Sequence, residues 1–147
     1  MLFRSREPAD TIVTQRNPAI RIVALGGEMF PNQPGTVVAV SGAFLTKNTD
    51  AVQKLVNGLV KADALIKAEP KRVAPHVEAA LGKGIVEIAT IEKALVSPAS
   101  KFVADPRVIM EATAKMQTYQ VSIGTLDKDV PLDGLFDPSF YVKAVAQ

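Results

Sequence analysis

The chain has 147 residues, 48% hydrophobic and 22% charged, with 17 basic and 15 acidic side chains interspersed along it. That balance suits a packed core rather than disorder. With no basic block and no basic–aromatic stripe, it gives nucleic-acid binding no support. There is no cysteine, which excludes disulfides, thiol catalysis and thiolate metal sites.

No apolar run is long enough to span a bilayer, and the first residues do not form a signal peptide. Leu2-Phe3-Arg4-Ser5 is the translation of the end of a common sequencing adapter. Residues 1–5 are therefore expected to be a non-native start, with the natural chain extending upstream.

Glu7–Arg16 reads as a short helix with Pro8 in its first turn and a small apolar face at Ile12 and Val13. Asn17-Pro18 breaks it. Arg21–Leu25 is a short β-branched run stopped by Gly26-Gly27, and it predicts a strand. Phe30–Gly35 is a proline-bracketed loop. Thr36–Val40 predicts a second strand, apolar enough to be buried on both faces.

The longest coherent segment follows, from Phe44 to Pro70. Asn48 or Thr49 can cap its first amides, and Asp50 adds negative charge to the first turn. Val52, Leu55, Val56, Leu59, Ala62 and Ile66 then recur at helical spacing, and Pro70 stops the run. This predicts an amphipathic core helix. Further helices are predicted over Lys71–Leu81, closed by Gly82-Lys83-Gly84, and over Ile85–Val96. A long one runs from Asp105-Pro106 to about Ile123. A loop rich in Asp, Pro and Gly spans Leu126–Asp137, and Asp137-Pro138 opens a last short helix.

Two short strands do not make an independently stable sheet. Buried strands need neighbours that this sequence does not supply, and that again points to residues upstream.

Catalytic patterns are sparse. His76 is the single histidine, so no imidazole pair can hold a metal. Nucleophile-elbow, Walker and dinucleotide motifs are lacking. Asp127, Asp129, Asp133 and Asp137 lack the closing Glu of a calcium loop and read as solvated turn residues. Glu7 differs. A carboxylate immediately before a helix-starting proline can face a cleft and accept hydrogen bonds from an amine or amide. It can equally serve only to complement the helix dipole.

The order of these elements is distinctive: E-P at Glu7-Pro8, then R-I-V-A-L, a proline-bracketed loop and V-V-A-V-S. F-L-T-K-N-T-D-A-V-Q-K-L comes next, and the helix carries A-D-A-L-I-K-A-E-P. This resembles the C-terminal half of periplasmic solute-binding proteins of the nitrate/sulfonate/taurine class, the NMT1/THI5-like group. The helix start in that group usually reads K-N-P, and Thr49 stands here in place of the proline. The stretch from Asp105 to Gly124, with Gln117 and Gln120, also looks like the family's tail. The resemblance runs from Glu7 to about Tyr141.

The resemblance implies an α/β fold, the C-terminal part of a two-lobed type II periplasmic-binding-protein architecture, with few strands and mostly helices over residues 6–147. That portion would comprise the end of the second lobe, then a return to the first lobe and the C-terminal helices. It implies a substrate-binding component of an ABC-type uptake transporter for a small organic or nitrogen- or sulfur-containing solute. No catalysis, cofactor or metal would be involved. Glu7 is the position carried over as a ligand contact. The implied partners are the solute and the transporter's membrane permease. The implied location is periplasmic, or lipid-anchored and extracytoplasmic. An exposed strand edge would let the chain pair with another copy. The family's enzyme-like branch, which makes the pyrimidine of thiamin, relies on a cysteine cluster that this sequence lacks. The alternative from another class is a stand-alone helical protein-interaction domain.

Overall fold

The computed structural model describes residues 7–146, so the reading of residues 1–5 lies outside the described residues. Eight helices occur among them: α1 (Ala9–Arg16), α2 (Gly26–Met29), α3 (Gly42–Lys47), α4 (Thr49–Ala68), α5 (Pro70–Leu81), α6 (Ile88–Leu95), α7 (Arg107–Ser122) and α8 (Ser139–Val145).

No strand forms among the described residues. This overturns the expected α/β class: the described chain is all-helical and does not have the sheet of a type II periplasmic-binding-protein lobe. Both runs predicted as strands, Arg21–Leu25 and Thr36–Val40, are irregular. The reason is a lack of partners. A strand is stabilised by the ladder of its neighbour, and a β-branched run without a ladder has only its propensity to hold it. No backbone hydrogen bond joins Thr36–Val40 to any described residue. Their apolar side chains stand in solvent, with Val23 81% and Val38 63% exposed.

The helices follow the sequence pattern more closely. α1, α4, α5, α6, α7 and α8 fall where periodicity and proline placement put them, although α6 begins at Ile88 rather than Ile85. The one-turn α2 and the six-residue α3 were not anticipated. Ser41 explains the second: its hydroxyl accepts from the Phe44 amide at 3.2 Å, a side-chain N-cap.

Capping of α4 also differs from expectation. The Asn48 side chain donates to the Phe44 carbonyl at 3.1 Å, and the Thr49 hydroxyl donates to the Leu45 carbonyl at 2.9 Å. Both side chains close the end of α3 instead of capping α4. Nor is α4 a fully buried core helix. Of its stripe only Val52 is buried, while Leu55 and Leu59 are exposed.

The chain divides into two compact units. The first comprises residues up to Met29 and Ala62–Phe102; the second comprises Phe30–Lys61 and the chain from Val103 onward. α4 thus contributes residues to both.

In the first unit, α6 packs on α5 and on α1. Its core is Val73 and Ala74 from α5 with Thr90, Ile91 and Ala94 from α6. These fall at four-residue steps or next to them, so α6 presents one narrow buried face. Gly82 makes the turn between the helices. Its φ of 106° is open to glycine and strained for other residues. Glu78 braces the turn by accepting from the Gly84 amide at 3.1 Å.

In the second unit, Val52 of α4 and Phe140 of α8 are buried. The Gln53 side-chain amide donates to the Phe140 carbonyl at 2.9 Å, linking the same two helices. Asp105 accepts from the Arg107 backbone amide at 3.0 Å and pairs with its guanidinium at 2.7 Å. Asp105 therefore braces the start of α7 from one residue before the N-cap, which is Pro106 rather than the expected Asp105. The same guanidinium lies 5.7 Å from the Tyr141 ring centroid, a cation–π geometry.

Candidate functional site

Glu7 stands one residue before the Pro8 N-cap of α1, and the Glu7–Pro8 peptide bond is cis. One carboxylate oxygen, Oε2, accepts from the Thr11 amide at 3.2 Å. This satisfies one of the free donors of the first helical turn, where negative charge is also favoured. The dipole-complementing role is thus present. The other oxygen, Oε1, has no hydrogen-bond partner among the described residues.

Glu7 also lines an open groove of about 430 Å³ within the first unit. Asp10, Thr11, Thr14 and Gln15 continue its α1 wall. Lys93, Val96, Ser97 and Pro98 form the α6 side, and Ile22 adds an apolar contact. Glu7, Asp10, Thr11 and Thr14 are separated by three, one and three residues, which puts them on one helix face. That spacing was readable in the sequence and escaped notice, because the carboxylate before the proline was considered alone. Lys93 and Ser97 carried no comparable local signal. They reach the groove only because α6 packs on α1.

Several groove groups already have partners. The Thr14 hydroxyl donates to the Asp10 and Thr11 carbonyls at 2.9 and 3.1 Å, which leaves its lone pairs for an incoming donor. Gln15 Oε1 accepts from the Thr90 hydroxyl at 3.0 Å. Ser97 Oγ accepts from the Ala99 amide at 3.2 Å, so its own proton is available. The groove therefore offers the Glu7 and Asp10 carboxylates and the Thr14 oxygen as acceptors, and the Lys93 ammonium, the Gln15 side-chain amide and the Thr11 and Ser97 hydroxyls as donors. No ion pair joins Lys93 to either carboxylate among the described residues. Donors and acceptors are both present, and the two carboxylates make the α1 wall negative, which favours a guest that carries N–H groups there.

No protein-family model, curated protein or solved structure matches the chain.

The remaining candidates are dispersed. His76 is exposed on α5. Asp127, Asp129 and Asp133 are exposed in the loop before α8, and Asp137 accepts from the Ser139 amide at 2.9 Å. Among the described residues no group of three His, Asp or Glu side chains could hold a metal ion. No helix among them is long and apolar enough to cross a membrane.

Proposed function

We propose that the chain is a binding protein, part of the substrate-binding component of an ABC-type uptake transporter for a small organic or nitrogen- or sulfur-containing solute. The observation that carries this reading is Glu7, whose carboxylate lies on the wall of a largely apolar groove, with one oxygen uncommitted among the described residues. The linear order of motifs from Glu7-Pro8 through the α4 segment supports it from the sequence side. On this reading no bond is made or broken. The solute is held, then handed to the membrane permease outside the cytoplasm.

The two carboxylates of the α1 wall set a preference. A simple anion beside Glu7 and Asp10 meets like charge at short range. A solute with amine, amide or neutral heterocyclic N–H groups can be held by the same oxygens, with Ile22 and Val96 covering an apolar portion. Thermal-shift measurements against a solute panel test this. Solutes bearing N–H groups should raise the melting temperature, and Glu7→Gln should diminish the rise. Stabilisation by simple anions alone, indifferent to Glu7→Gln, would defeat the proposal.

One observation favours a second reading, a helical protein-interaction domain. Large apolar side chains are exposed along α4 and the irregular segments, among them Leu55, Leu59 and Val23. Faces of that kind dock partners. Solute-dependent stabilisation would separate the first reading from this one.

A further inference from the structure

Thr36–Val40 combines three properties. Its backbone makes no hydrogen bond to any described residue. Val37, Val38 and Val40 are all exposed. From Phe30 to Thr46 the sequence has no charged side chain at all, in a chain where 22% of residues are charged. An exposed, uncharged, valine-rich run with free backbone donors and acceptors is a template for strand addition. The charges and prolines that normally blunt such edges are absent from the run itself.

We infer that this run pairs with itself in a second copy of the chain, as an antiparallel two-stranded contact about a two-fold axis near Val38. With Val38 on the axis, Thr36 meets Val40 of the other copy and Val37 meets Ala39. Every opposed pair is neutral, so no like charges face each other and no charged group loses water. A charged partner strand would gain no counter-charge here and would lose hydration. The ends of the run limit the pairing. Pro34 lacks an amide proton on one side, and α3 begins at Gly42 on the other. Five residues span about 17 Å, and so short a contact falls below the roughly 1,200 Å² of a stable interface. The dimer is therefore weak and depends on concentration. The contact is isologous, so it closes at two copies.

Sedimentation velocity on the full chain over a concentration series tests the pairing. Wild type should shift from monomer to dimer as concentration rises. Val38→Lys puts two like charges at the axis, and Val38→Pro removes the central amide. Both variants should stay monomeric at the highest concentration, with helical circular dichroism unchanged. Val23→Lys, an exposed apolar position outside the run, should leave the dimer intact. Amide hydrogen exchange gives an independent readout: protection at Val37–Val40 should rise with wild-type concentration. A wild-type monomer throughout, a dimer insensitive to both Val38 variants, or equal loss with Val23→Lys would each overturn the inference.

Discussion

The buried Thr90 hydroxyl on α6 donates to Oε1 of Gln15 on α1 at 3.0 Å. Among the described residues it is the one side-chain hydrogen bond between the two helices that wall the groove. Thr90→Val keeps the shape and removes the donor. Gln15 is exposed, so water can replace the lost partner and the penalty stays near that of a single ordinary hydrogen bond, about 0.5–1.5 kcal/mol. Urea unfolding should show that loss. Gln15→Ala leaves the hydroxyl unpaired at a buried position and should cost at least as much. The double variant should lose less than the two single losses combined, because both remove one interaction.

Ile91 is the main buried anchor of the first unit, at 2% exposure, with Val73, Ala74 and Ala94 completing the core. So small a core has little to repack into a void. Ile91→Ala should destabilise by about 2–5 kcal/mol, a large fraction of the stability of a typical domain. Val23→Ala, at an exposed site, should change stability by less than about 0.5 kcal/mol. Chemical denaturation of the two variants side by side provides the comparison.

These two sites also show where the sequence was informative. Helical spacing, proline starts and glycine stops are local signals, and they placed α1, α4, α5, α6, α7 and α8. The strand readings failed because a strand is a property of a pair. Val37, Val38 and Val40 have β propensity, yet no segment among the described residues hydrogen-bonds to them. Asn48 and Thr49 had the right chemistry for caps, but their side chains reach back to Phe44 and Leu45. Glu7 drew attention as a carboxylate before a helix-starting proline, and only the family resemblance made it a ligand contact. Lys93 and Ser97 were missed because only the packing of α6 on α1 brings them to Glu7.

Gly82 ends α5 with φ 106° and ψ 124°, outside the left-handed helical well and in territory nearly reserved for glycine. A Cβ there would sit 2.8 Å from the Ile85 Cδ1 atom, so Ile85 would also have to move. Gly82→Ala should cost about 1–3 kcal/mol from backbone strain. Gly84→Ala is the useful contrast. Its φ is 79°, and a Cβ there would meet nothing within 4 Å. It should therefore be the milder of the two. Thermal melts of both variants separate strain from crowding.

Asp137 precedes α8, and the Ser139 hydroxyl and amide, in that order, hold its carboxyl below the usual carboxylate range. A carboxyl lowered by folding stabilises the native state when ionised. The contribution is complete above the unfolded value, about pH 3.9, and is lost as pH falls through the lower native value. Acidification should therefore loosen α8 before neutral-pH conditions reveal any weakness. The effect is modest because the group is exposed and solvent-screened. Asp137→Asn retains an oxygen for the Ser139 amide and removes the titration. The variant should lose part of the acid-dependent slope in stability below about pH 4 while keeping the α8 start. A carboxyl-carbon NMR titration of Asp137, run beside acid unfolding of both proteins, measures the two halves of this linkage. An unshifted Asp137, or equal acid slopes in both proteins, would show that the Ser139 contacts do not persist in solution.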